Sequence, residues 1–129
     1  MRKKGQTTGE FAVALLVLLP LVLGAFYLAR IISLKHSLDV GCYNAARYLS
    51  INPLDEATAI ELVKQEIERN VLPFDPDGVE VEVNIPSAAF GSKLTVSCRY
   101  PVSLRIPAWG SLGGRVLEAS HSFLVEAWP

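Results

Sequence analysis

The sequence predicts an α+β protein in which one long membrane-spanning helix leads into a small exported domain. Three observations support this fold class. Residues 11–29 form a run without a charged side chain near the N-terminus. Apolar residues then recur at helical spacing. In the last part of the chain, apolar and polar residues alternate, as they do in strands with one buried face.

Residues 11–29 are long enough to cross a bilayer. At about 1.5 Å per residue, a helix over this run spans roughly 28 Å, close to the ~30 Å hydrocarbon core. The run also lacks the polar face that a helix in a soluble core would show. A cleaved secretory signal is the alternative, but its apolar core is shorter, and Phe26–Leu28 occupy the place of its small-residue cleavage site.

The predicted helix does not end at the membrane. Apolar or small residues recur at intervals of three and four, at Ile31, Leu34, Leu38, Gly41/Cys42, Ala45 and Tyr48/Leu49. This spacing places them on one stripe of a helix. We therefore expect a basic leader at residues 1–5, a transmembrane and juxtamembrane helix at 6–50, and the exported domain at 51–129.

A second helix is expected at the start of the exported domain. Asn52 is its predicted N-cap and Pro53 its first helical residue. The helix is expected to run to about Val71. Its predicted apolar face consists of Ile60, Val63, Ile67 and Val71.

Three or four antiparallel strands are predicted to cover these helices. Alternation marks strands at 79–85, 94–106 and 117–125. Pro101 is expected to bend the second strand or to end its first pairing, because proline cannot donate a ladder hydrogen bond. Pro86–Gly91 and Ala108–Gly114 are the predicted connecting loops.

Charge and residue spacing exclude several classes of function. From Ile51 onward the chain has eleven acidic and six basic residues, which argues against nucleic-acid binding and against a domain that lies on an anionic membrane surface. No Cys/His spacing is typical of a metal site, and His121 on a strand's apolar face is expected to be a satisfied core residue. We therefore expect no enzyme activity, no cofactor and no metal.

Cys42 and Cys98 both fall on the apolar faces of their elements, so both are expected to point inward. An exported domain permits a disulfide between them, and two buried free thiols are the alternative. Trp109 and Trp128 are candidate contact residues, although core packing explains either equally well.

The segment Gly5–Phe11 contains the residues of greatest functional interest. Glu10 opens the membrane helix, where a carboxylate is costly to desolvate without a partner. If a peptidase cuts after Gly5, the new amine of Gln6 lies about one helical turn from Glu10 and can neutralise it. The alternative is that Glu10 lies in the lipid headgroups and needs no partner.

Two segments carry a family resemblance: Arg2-Lys3-Lys4-Gly5-Gln6 with Glu10-Phe11, and Asn44-Ala45-Ala46-Arg47-Tyr48. Together with the apolar helix they resemble the TadE-like family of pilin-like proteins in bacterial Tad (Flp-type) pilus systems. The Leu94–Tyr100 strand is similar to a C-terminal strand of that family. The resemblance implies cleavage between Gly5 and Gln6 by a prepilin peptidase. It also implies that Glu10, with Phe11 beside it, acts in processing or subunit packing.

The resulting expectation is a minor pilin or pseudopilin in pilus assembly. Its expected partners are the lipid bilayer, a prepilin peptidase, other pilin-like subunits and the pilus assembly machinery. Arg2, Lys3 and Lys4 precede the apolar run and predict a cytoplasmic N-terminus. The protein is thus expected to cross the bacterial inner membrane once, with its C-terminal domain outside, or to enter a surface pilus used in adhesion. The alternative function is an unprocessed, membrane-anchored extracytoplasmic interaction module of a secretion system.

Overall fold

The computed structural model describes residues 3–70, 74–106 and 110–127. Its elements are helix α1 (Lys3–Ile51), helix α2 (Glu56–Glu68), a short 3-10 helix (Pro76–Gly78), and strands β1 (Glu80–Asn84), β2 (Lys93–Ile106) and β3 (Gly110–Leu124). The predicted α+β class, with a long first helix, a second helix and an antiparallel sheet of three strands, is confirmed. The chain divides into two compact units, Met1–Ile32 and Ser33–Pro129, and α1 contributes to both.

The first unit is a stretch of helix with no core of its own. Its large apolar side chains are exposed from Phe11 to Leu28, where only Tyr27 is half-buried. Within the part of the chain that the structure describes, α1 is the one helix long and apolar enough to cross a membrane. The apolar surface requires lipid or other helices around it, because water would not solvate it.

The second unit is built around the C-terminal part of α1. Of the predicted stripe on α1, Leu34, Leu38, Cys42, Ala45 and Leu49 are buried, and Ala46, which was not predicted, is buried with them. Val63 and Ile67 of α2 are fully buried with this stripe, as predicted, and Ala59 completes the buried face of α2 while Ile60 is only half-buried. The approach of the two helices is close, since a Cβ atom on Gly41 would lie 3.2 Å from the Val63 Cα.

The sheet has the strand order β1-β2-β3. Leu94, Val96, Cys98 and Tyr100 of β2 alternate into the core, as the period of two predicts. The β1–β2 pairing ends where Glu80 pairs with Arg99, before Pro101, which confirms the expected end of that pairing. The β2–β3 pairing continues beyond it, to Ile106 and Gly110.

The predicted cap of α2 is wrong. Asp55, and not Asn52, is the N-cap: its carboxylate accepts the backbone N–H of Thr58 at 3.2 Å. The Tyr48 hydroxyl of α1 donates to the same carboxylate at 2.7 Å and so holds it in place. Pro53 therefore lies in a turn before the helix, and not at its first position.

Two predicted boundaries also differ from the structure. The predicted loop Ala108–Gly114 is wrong from residue 110 onward, because Gly110–Gly114 belong to β3 and pair with β2. Gly113 has a φ of 97°, a conformation that glycine adopts freely, near the shift in strand register between Ser103 and Arg105. Helix α2 ends at Glu68, earlier than predicted, and Val71 lies outside the described residues.

Candidate functional site

The N-terminal candidate site lies on the first two turns of α1. The helix begins at Lys3, so Gly5, Gln6 and Glu10 are all helical. The Gln6 side-chain amide donates to the Glu10 carboxylate at 3.5 Å, the long end of hydrogen-bonding distance. Helical side chains lean toward the N-terminus, so the Glu10 carboxylate reaches back to the residue one turn earlier. Residues 6 and 10 therefore share one face of the helix, as their spacing requires.

Within the first unit, there is free space around the residues of this site. A Cβ atom added to Gly5 would meet nothing within 4 Å, and the same holds for Gly9. The Phe11 side chain is 65% exposed. Gly5 and Phe11 are thus accessible from outside the helix. The leader residue Arg2 lies outside the described residues.

The two cysteines meet in the core of the second unit. Both are fully buried and are free thiols. The Cys42 thiol donates to the Val96 carbonyl oxygen at 3.2 Å and lies over the β2–β3 ladder. A hydrogen bond from the Cys98 thiol lowers the pKa of Cys42, and the same bond, together with burial, raises the pKa of Cys98. The geometry brings the two sulfur atoms together, and the disulfide stays a prediction.

His121 lies beside α1 on β3. Its Nε2 atom is 2.9 Å from an Asp39 carboxylate oxygen, and its ring meets Tyr43 edge-on at 5.6 Å between centroids. His121 is half-buried and has partners, which fits the structural role predicted for it. Sequence reasoning missed Asp39 and Tyr43, although their spacing of four already placed them on one face of α1.

The carboxylates of β1 lie on the solvent-facing side of the sheet. Glu80 and Glu82 are exposed on the outer face of the sheet, where Arg99 and Glu118 form an ion pair at 3.1 Å. Among the described residues, no group of three or more His, Cys, Asp or Glu side chains is placed to hold a metal. Trp109 and Trp128 lie outside the described residues, so their predicted contacts stay predictions.

Comparison with known proteins bears on the N-terminal helix. Residues 5–47 match the family model of TadE-like proteins. This part of the chain is similar to TadE-like proteins. The matched range begins at Gly5 and ends at Arg47, so it contains Glu10, the apolar run and most of the Asn44–Tyr48 segment. The resemblance predicted from those residues is thereby confirmed. No curated protein and no solved structure matches the chain.

Proposed function

We propose that this TadE-like protein is a minor pilin or pseudopilin that takes part in assembly of a Tad-type pilus. The observation that carries the proposal is the family match from Gly5 to Arg47, which covers the leader junction, Glu10 and the membrane helix. The helical contact between Gln6 and Glu10 supports it, because processing after Gly5 would leave the Gln6 amine one turn from that carboxylate.

In this function the apolar helix changes its surroundings during assembly. Before assembly it spans the inner membrane, with the basic N-terminus in the cytoplasm and residues 33–127 outside. After a prepilin peptidase cuts between Gly5 and Gln6, the helix packs against the helices of other pilin-like subunits. Exchanging lipid for helix contacts costs little hydrophobic energy, and the Glu10 charge pairs with an amine of the same or a neighbouring subunit.

In this proposed function the protein acts by associating with other subunits. Its ion pairs, such as Arg99 with Glu118 and His121 with Asp39, join neighbouring elements of the fold. Its proposed partners are therefore the peptidase that processes it, other pilin-like subunits and the assembly machinery of the pilus.

Intact mass of the membrane-extracted protein tests the processing step. In cells with the cognate peptidase, we expect the chain to begin at Gln6. Gly5→Ala should block cleavage, and Gly9→Ala is the matched control, since a Cβ atom has free space at both positions. A mature chain that still begins at Met1 would contradict processing.

Glu10 is tested separately. Glu10→Ala should leave the exported domain folded but reduce pilus assembly, because the amine loses its counter-charge. Glu10→Gln keeps the size and the hydrogen-bonding capacity but not the charge, so it should fail like Glu10→Ala if charge pairing matters. Normal pili from both variants would overturn the proposed role of Glu10.

One observation favours a second function, that of an unprocessed membrane-anchored interaction module of a secretion system. The bond between Gly5 and Gln6 lies inside α1, which begins at Lys3, and proteases cut extended backbone more readily than helix. The first turn of a helix frays easily, so unwinding it is a small cost. The mass measurement described above separates the two functions.

A further inference from the structure

Strand β1 is an open edge of the sheet in the second unit. The strand order β1-β2-β3 leaves one long side of β1 without a neighbouring strand. Among the residues that the structure describes, no group outside β2 hydrogen-bonds to residues 80–84. The other edge strand, β3, lies beside α1, where Lys35 donates to the Glu118 carbonyl oxygen. The outward N–H and C=O groups of β1 are therefore available to a further strand.

Strand β1 lacks several features with which proteins protect a sheet edge. Its pairing with β2 is continuous over all five residues, without a bulge, and no proline lies within it. Its charged side chains, Glu80 and Glu82, are exposed on the outer face of the sheet and do not point into the core. A bulge, a proline or an inward-facing charge would block the edge to any strand. Two exposed glutamates repel an acidic strand but leave the edge open to a basic one.

The core-facing side of β1 still has apolar surface to cover. Val81 pairs with Cys98, and Val83 pairs with Val96. The two residues of β2 are fully buried, whereas the two valines of β1 pack against the same core but are only half-buried. An added strand with apolar residues on this side would remove the remaining valine surface from water, which favours its binding.

The outer face of β1 selects the charge of such a strand. Within the described part of the chain, neither Glu80 nor Glu82 has a hydrogen-bond or ion-pair partner. Arg99, which lies opposite Glu80 on β2, forms its ion pair with Glu118 of β3. Opposite charges on neighbouring strands stabilise their pairing, and like charges destabilise it. A strand with lysine or arginine on its outer face is therefore favoured, and a second copy of β1 is disfavoured.

We propose that β1 binds an extended segment of another protein, in which basic and apolar residues alternate, as a fourth strand of the sheet. Backbone hydrogen bonds hold the segment on the edge, as in other cases of strand addition. Its basic side chains pair with Glu80 and Glu82, and its apolar side chains cover Val81 and Val83. The inference rests on the sheet and not on processing or pilus assembly, so either proposal can fail without the other.

Peptide binding to the full chain, in phosphatidylcholine nanodiscs with one copy per disc, tests the proposal. The probe is a peptide of alternating lysine and valine, long enough to span β1, and its counterpart has glutamate in place of lysine. We expect the lysine peptide to bind at least about five-fold more tightly. It should also slow the exchange of alternate amides within residues 80–84, because only alternate N–H groups of an edge strand point away from its neighbour.

Charge reversal on β1 should change this preference. Glu82→Lys should remove most of the preference for the lysine peptide, and adding Glu80→Lys should reverse it. Glu126→Lys is the matched control, because Glu126 is an exposed carboxylate that follows β3 and lies beside the end of α1. It should leave the preference unchanged. Exchange within residues 95–99 of β2 reports in each sample that the sheet is folded.

Methylation of the peptide's backbone nitrogens tests the strand pairing itself. The methylated lysine peptide keeps its charges but cannot donate ladder hydrogen bonds, so it should bind much more weakly. If it binds as well as the unmodified peptide, the glutamates act by charge alone and the proposal is overturned. Equal binding of the lysine and glutamate peptides would also overturn it. So would protection of residues 80–84 without peptide in discs with two copies, since β1 would then be a contact between copies of this chain.

Discussion

Helix α1 passes through two environments, and its two halves differ in how their apolar residues are arranged. Between Phe11 and Leu28 the apolar side chains surround the helix, and none of them is buried. Between Ser33 and Ile51 the buried residues form one stripe, and Leu38 and Leu49 are completely inaccessible. The comparison teaches that the arrangement of apolar residues, and not their number, separates a lipid-facing helix from one that packs in a domain.

The largest expected loss of stability is for a substitution at Leu38, in the half of α1 that packs in the domain. Leu38→Ala should lower the free energy of unfolding of residues 33–127 by about 2–5 kcal/mol, because it leaves a cavity in a closed core. Leu18→Ala, at a position 57% exposed in the lipid-facing half, should leave that value unchanged. Urea-dependent hydrogen exchange of the full chain in nanodiscs measures both. Equal losses would mean that the two halves do not differ as described.

The next largest effect on stability is expected from a disulfide between Cys42 and Cys98. In an oxidising compartment, the Cys42 thiolate can attack the disulfide of a thiol oxidoreductase, and Cys98 can then displace that enzyme as its dithiol. The mature protein should therefore be two hydrogens lighter and should resist thiol labelling in denaturant. Reducing the bond should cost about 2–4 kcal/mol of stability. Two labelled thiols in protein isolated from that compartment would show that the cysteines remain free.

Substitutions at two glycines of α1 test the same difference between its two halves. Gly41→Val should destabilise the second unit by about 1–3 kcal/mol, since the added side chain meets the backbone of α2. Gly24→Val is the control in the lipid-facing half, where a Cβ atom meets nothing within 4 Å. Thermal unfolding of both variants in the same nanodiscs gives the difference. A neutral Gly41→Val would show that α2 can move away.

The smallest expected effect is a change in how stability depends on acid pH when Tyr48 is substituted. Hydrogen bonds from Tyr48 and Thr58 hold the pKa of Asp55 below its ordinary value of about 3.9. Asp55 therefore contributes stability above that value and loses it as the pH falls through the lower pKa of the folded state. Tyr48→Phe should reduce this loss.

Tyr27→Phe, in the lipid-facing half, is the control and should leave the acid dependence as in the wild type. Unfolding midpoints at neutral pH and near pH 3 measure the effect. If Tyr48→Phe follows the wild-type pH dependence, Tyr48 does not set the pKa of Asp55.

The sequence predicted most of this fold because the fold depends on local periods. The stripe from Leu34 to Leu49, the alternation from Leu94 to Tyr100 and the buried Val63 and Ile67 all follow from the 3.6 and 2.0 residue repeats. The cap of α2 was missed because Asn52 and Asp55 are both good capping residues. Tyr48, which lies on another helix, favours Asp55.

In β3, tertiary contacts produce a strand where the amino-acid composition predicts a loop. The glycine-rich Gly110–Gly114 segment has low strand propensity, yet it pairs with β2 because β2 offers it a ladder. The ladder runs from Lys93 with Leu124 to Ile106 with Gly110, so β2 determines where β3 begins.

What the sequence determined by itself is the long apolar helix and the placement of Gln6 and Glu10 at its start. An uncharged run of bilayer length and the four-residue spacing of Gln6 and Glu10 are properties of the chain alone. The tertiary structure decided which strand lies beside α1 and that Cys42 meets Cys98. The physical reason is separation along the chain, because a local repeat fixes which face of a helix is apolar but not which distant segment covers it.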